Sequence, residues 1–121
     1  MGRDHQKLMV FHKADELVIL VYRHSRAFPA DERFGLRSQL RRAALSIATN
    51  IVEGSARDSR KDYVRFLDMA LASAAETEYL LHVATRLGYV DGDPAGDCRN
   101  GALEIRKMLE KLIAALRRLG P

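Results

Sequence analysis

Asn50 and Glu53 are the two residues of this chain closest to an active-site pair. A carboxylate can move a proton, an amide can orient a substrate, and a three-residue step puts both on one helical face. Gln39 and Ser46 extend the same line upstream, and Glu76 stands on the next helix. The same residues also have a structural reading. Buried polar groups can satisfy each other, a helix end or a neighbouring subunit, and so fix register and partner choice despite their desolvation cost. No further group completes a catalytic set. Gln39, Ser46, Asn50, Glu53 and Glu76 are therefore assigned to a structural or assembly seam, with Glu76 expected to pair with Arg37 or Arg41. No catalytic residue is assigned, and no enzyme is expected.

Other chemistries lack their residues. A di-iron site in a helical protein needs paired Glu-x-x-His units, and none occurs; Glu78 and His82 stand one residue too far apart. The paired Glu-x-x-Glu segments of helical nucleotide pyrophosphohydrolases are missing, as is the Arg-x4–6-His pattern of helical ribonucleases. His5, His12, His24 and His82 have no ligand spacing, and no glycine-rich loop opens a helix as a phosphate cradle. Neither a metal nor a cofactor is expected. Cys98 falls in a stretch read as a loop, with no histidine beside it, and is taken as a spare thiol. As the only cysteine it forms no disulfide within the chain, which suits a reducing cytoplasm.

Arginine supplies the remaining chemistry. The chain carries a net charge of +4. Arg33, Arg37, Arg41 and Arg42 gather on the second helix, and Arg57, Arg60, Lys61 and Arg65 gather around the turn after it. The planar guanidinium forks well onto phosphate. Arg37, Arg41, Arg42, Arg57, Arg60 and Lys61 are the expected nucleic-acid-binding set. Asp58 and Asp62 dilute the second cluster. On a single chain a solvated face and a phosphate-binding face stay equally open. Symmetric assembly would tip the balance by multiplying each patch.

The elements that position these groups are helices. With 121 residues, 47% of them hydrophobic and 30% charged, the chain reads as one domain spanning 1–121 with a sizeable core. The first helix is expected from Leu8 to Ala27, with Val10 or Phe11, Ala14, Leu17 or Val18, and Val21 inward. Phe28-Pro29 ends it, and Ala30 to Gly35 turns the chain. The second helix buries Leu36, Leu40, Ala43 or Ala44, Ile47 and Ile51, and Gly54 is expected as its left-handed cap. Ser59 and Asp62 form a capping box for a third helix, whose inward stripe runs from Tyr63 through Leu67, Ala70, Ala74, Thr77 and Leu81 to Ala84. Gly88 stops it. Asp91 to Gly101 reads as the loosest stretch, with Asp93-Pro94 opening a fourth helix. Ile105, Met108 or Leu109, Leu112, Leu116 and Leu119 form that helix's core line. Short connections make neighbours antiparallel, giving an all-α, up-down-up-down four-helix bundle. Leu45, Ala48 and Val52 on the second helix, and Ile19 and Leu20 on the first, are apolar surface beyond the core and imply more than a monomer. The N-terminus, Met1 to Lys7, is polar and unlike a signal peptide. No apolar run approaches the roughly 20 residues that cross a bilayer.

The second and third helices also carry a resemblance. Gln39-Leu40-Arg41-Arg42-Ala43 and Ser46-Ile47-x-x-Asn50-Ile51-x-Glu53-Gly54 stand together with Phe28-Pro29, Phe34-Gly35-Leu36 and Arg65-Phe66-Leu67-x-x-Ala70-x-x-Ser73-x-x-Glu76. These segments resemble the four-helix-bundle family known as 23S ribosomal RNA intervening-sequence proteins. Ala48 departs from the family, which often has proline there. The resemblance implies the four-helix fold and a ring-like homopentamer. It further implies kinship with the basic accessory protein of diversity-generating retroelement reverse transcriptases, which associates with nucleic acid and with the polymerase.

These readings converge on a cytoplasmic, homo-oligomeric protein that neutralises the phosphates of RNA or DNA, with counterion release as the driving force and little base readout. An aromatic content of 7% leaves few stacking platforms. The alternative is a protein-interaction scaffold, with a reverse transcriptase as one candidate partner.

Overall fold

The structure, a computed structural model, describes residues 3–90 and 97–120 in full and the helical backbone alone of residues 92–96. Four long helices carry it: α1 (Met9–His24), α2 (Leu36–Ser55), α3 (Arg60–Arg86) and α4 (Gly92–Arg118). No strand occurs among the described residues.

Each helix follows from its apolar spacing and is closed by local chemistry. Val10, Ala14, Leu17, Val18 and Val21 give α1 a buried stripe at three- and four-residue steps. The chain then tightens into a single 3-10 turn at Ser25–Ala27, and Phe28 is extended (φ −65°, ψ 148°), as a residue ahead of proline must be. The start of α2 is pinned by Glu32. One carboxylate oxygen accepts from the Leu36 backbone N–H at 3.1 Å and the other from the Tyr89 hydroxyl at 2.9 Å. That hydrogen bond, then burial and the charges of Glu32 and Asp31, hold the Tyr89 hydroxyl above its ordinary pKa of 10.0. Ser59 caps α3 as expected, its Oγ accepting from the Asp62 N–H at 3.1 Å. Gly88 follows α3 with φ +76°, a conformation that costs glycine nothing.

Cross-helix contacts show neighbouring helices running antiparallel. Arg41 near the start of α2 reaches Ser25 at the end of α1, while Arg3 at the foot of α1 donates its backbone N–H to Ser55 at the end of α2. The end of α2 packs against the start of α3 through Gly54 and Phe66. Arg117 pairs with Asp68 at 2.7 Å, and Arg106 with Glu78 at 2.6 Å, fastening α4 to α3 in opposite directions. Lys13 and Glu104, 3.1 Å apart, do the same for α1 and α4. Leu17, Leu40, Ile47, Ile51, Leu67, Ile105 and Leu109 fill the interior. Each such side chain contributes about 1.5–3 kcal/mol by leaving water. Alanines 43, 44, 70 and 74 let α2 and α3 approach closely there.

Five expectations change. Gly54 is no left-handed cap, since α2 runs through it to Ser55; it is glycine because a Cβ would stand 2.8 Å from the Phe66 Cβ. The stretch from Gly92 to Gly101 is helix, not loop, because Cys98, Ala102 and Ile105 continue the core stripe upstream. Asp93 and Pro94 fall inside this helix, and their side chains lie outside the described residues. Cys98 is accordingly a core residue, 1% exposed. Leu119 lies beyond the helix and is exposed, leaving Ile113 to fill the core. Ala48 is buried rather than spare surface.

Candidate functional site

The polar residues of α2 separate into a seam, two grooves and an opposite pole. In the seam, Asn50 is 8% exposed and its Nδ2 donates to the Ser46 carbonyl (2.8 Å) and to Ser46 Oγ (3.0 Å). Ser73 Oγ on α3 donates to the same Ser46 Oγ at 2.9 Å. This Asn50–Ser46–Ser73 chain joins the two helices through polar contacts. Neither Asn50 nor Glu53 lines the adjoining groove, and Glu53 stands exposed where Asn50 is buried.

Next to the seam lies an open groove of about 550 Å³ between α2 and α3. Gln39, Ser38 and Arg42 line it from α2, Ser73 and Glu76 from α3, and Phe34 from the preceding turn. Glu76 makes no ion pair with Arg37 or Arg41. Arg41 turns the other way, with Nε on Ser25 Oγ at 2.7 Å and NH2 on the Tyr22 carbonyl at 3.1 Å, and its guanidinium lies 4.8 Å over the Tyr22 ring. Tyr22 belongs to the last turn of α1, so Arg41 serves the carbonyl end of that helix, where positive charge is favoured.

A second groove of about 310 Å³ adjoins the first and shares Phe34, Ser38 and Arg42 with it. Arg33, Arg37 and Arg41 add three more guanidinium groups, and Tyr22 also lines it. No carboxylate lines it among the described residues. Four arginines therefore crowd one open depression at the α2 N-terminal end of the molecule.

Arg57, Arg60 and Lys61 sit at the other end. Fifteen residues separate Arg42 from Arg57, about 22 Å at 1.5 Å per residue. Arg60 NH1 donates to the carbonyls of Leu119 (3.1 Å) and Gly120 (2.9 Å), closing the end of α4 as Arg41 closes α1. Arg57 lies 4.8 Å over the Phe66 ring, and Lys61 is exposed. The six cations of the expected binding set thus form two patches at opposite poles.

Phe34, Tyr22 and Ser38 escaped the sequence reading as site residues. Phe34 carried the one available signal, a large apolar residue next to Arg33 in a polar turn with no helical stripe to join; it is 88% exposed. Among the described residues no cluster of three or more His, Cys, Asp or Glu side chains could hold a metal. No helix there is long and apolar enough to cross a membrane.

The chain is similar to solved proteins of the same shape. A crystal structure of a protein of unknown function from the S23 ribosomal protein family of Bacteroides thetaiotaomicron superposes with a TM-score of 0.81 at 29% identity, covering 87% of this chain and 98% of that one. No curated protein matches it. The family model for 23S rRNA-intervening sequence proteins matches residues 6–111, nearly the whole helical structure. By that match, the chain belongs to the 23S rRNA-intervening sequence protein family.

Proposed function

We propose that this protein is a self-associating, non-enzymatic, cytoplasmic nucleic-acid-binding protein that grips RNA or DNA by its phosphates. The observation carrying this reading is the groove in which Arg33, Arg37, Arg41 and Arg42 meet with no lining carboxylate among the described residues. Guanidinium groups crowded in this way repel one another, and a polyanion relieves that repulsion while releasing its own counterions. Arg41 is held by Ser25 and Tyr22, so Arg33, Arg37 and Arg42 are the hands and Arg41 the wrist. Arg57 and Lys61 form a second, weaker contact area, and Arg60 belongs to the fold.

Self-association draws on Ile19, Leu45, Met69 and Tyr79, apolar side chains left in water on three helices. A ring of identical copies, a homopentamer in the form the family resemblance implies, would repeat the arginine groove around its axis. The same exposed apolar residues also suit a protein partner such as a reverse transcriptase, the second reading.

Electrophoretic mobility shift and fluorescence anisotropy against RNA and DNA test the first reading. Affinity should fall steeply with salt, and Arg37→Gln with Arg42→Gln should flatten the log–log salt slope by about 0.7–0.9 per arginine removed. Binding absent even at low salt would refute it and leave the protein-partner reading.

A further inference from the structure

We propose that the larger groove, between α2 and α3, holds an unpaired guanine of a single-stranded nucleic acid, stacked on Phe34 and bound along its pairing edge by Glu76. The proposal rests on the phosphate-binding reading, because the adjoining arginine groove holds the backbone that flanks the base.

Phe34 supplies the first argument. Its ring is almost wholly in water, yet the Arg33 guanidinium stands 5.2 Å over it and the side chain borders both grooves. An aromatic ring held in the open beside cations is a platform on which an unstacked base gains stacking energy while its phosphates meet arginine. Bases inside a duplex cannot reach such a ring, whereas those of single strands, loops and bulges can.

The walls supply the second. The side chains of Ser38, Gln39, Arg42 and Glu76 line the groove and make no hydrogen bond or ion pair within the described residues. A carboxylate only accepts hydrogen bonds. Guanine alone among the bases presents two adjacent donors on its pairing edge, N1–H and the N2 amino group. Adenine and cytosine place a ring-nitrogen acceptor beside their amino group, and uracil and thymine flank N3–H with two carbonyls. Each of these would set an acceptor against a Glu76 oxygen. Ser38 and Gln39, on the opposite wall, offer donors for guanine O6 and N7, leaving Arg42 to the phosphates. The volume, about 550 Å³, accommodates a base with its sugar. Phosphate contacts alone would carry no sequence preference; this groove adds one.

Anisotropy titrations of the intact protein with oligothymidylate strands carrying one central guanine, inosine, adenine or cytosine test the proposal. The guanine strand should bind about tenfold tighter than the adenine or cytosine strand. Inosine, which lacks only the N2 amino group, should lose most of that gain. Glu76→Gln should abolish the preference and leave the salt slope unchanged, and Phe34→Ala should weaken every single strand. Both residues are exposed, and the analogue series on the unaltered protein gives an answer independent of either variant. Equal affinity for all four strands, or a preference that survives Glu76→Gln, overturns the guanine site while salt-dependent binding upholds the phosphate reading. Should no strand bind at low salt, free guanosine is titrated by NMR. Shifts confined to the groove would uphold the base site and sink the phosphate reading; no shifts would sink both.

Discussion

Arginine plays two parts in this molecule, and what faces the guanidinium decides between them. Arg41 and Arg60 point at the carbonyl ends of α1 and α4, where they replace hydrogen bonds those ends cannot make internally. Arg37 and Arg42, one helical turn or less from Arg41, face open grooves. Sequence periodicity places all of them near the polar side of a helix, but only the position of a neighbouring helix end separates a clamp from a free cation. Glu76 pairs with neither of its two expected partners for the same reason: Arg41 is engaged at the end of α1, and Arg37 lines the neighbouring groove rather than the one Glu76 lines. Cys98 gives a prediction at this scale. Burial, and then the Asp97 charge, push its thiol from 9.0 up to about 11. The folded state disfavours the thiolate, so this group's contribution to stability is intact below the ordinary value of 9.0 and is lost as pH climbs toward about 11. At pH 8 the native protein should react with a thiol reagent roughly a hundredfold more slowly than the unfolded chain. Labelling kinetics with and without denaturant check this, and equal rates would mean the thiol is open to solvent.

Among the elements, helix identity was legible because apolar residues recur at three- and four-residue steps over long spans. The Ser59 cap and the Gly88 stop were legible because each depends on one local hydrogen bond or one backbone angle. One cap and one helix boundary were not. Gly54 marks the end of α2 to within a residue but is helical instead of a left-handed cap, and the glycines and aspartates before Gly101 looked like a loop, because glycine signals either a turn or a close approach and only tertiary packing distinguishes them. The glycines of α2 and α4 therefore predict opposite outcomes. Gly54→Ala gains up to about 1 kcal/mol of helix propensity, but drives a methyl to 2.8 Å from the Phe66 Cβ and 3.4 Å from the Tyr63 carbonyl oxygen, neither of which can swing away. Overpacking costs about 1–3 kcal/mol, so the variant should be destabilised. Gly101→Ala meets only Leu17 Cδ1, at an ordinary 3.6 Å, and should gain about 1 kcal/mol. Denaturant melts of the two variants give the signs directly.

For the whole molecule, the prediction is association. Ile19 and Leu45 are each more than 40% exposed, and light scattering at micromolar concentration should return several times the 13.6 kDa chain mass. Ile19→Lys with Leu45→Lys should shift the protein toward the monomer. A monomeric parent would remove the ring and its repeated grooves from the functional reading. The excess apolar surface behind this prediction was only partly readable in the chain. Ile19 and Leu45 do face water, while Ala48 is buried and Leu20 packs partly buried against the core.

Two contacts near the ends of the described chain have a consequence for the geometry of any such assembly. Arg3 on Ser55 and Arg60 on Leu119 and Gly120 gather both ends of the described chain at the pole where α2 gives way to α3. The arginine groove opens at the other pole, a length of α2 away. A cyclic assembly whose axis ran along the helices would therefore have two unlike faces, one carrying residues 3 and 120 with Arg57 and Lys61 and the other the four-arginine groove. A polyanion would favour the face that carries the four-arginine groove. Stoichiometry would then favour a single strand per assembly over a strand on each side.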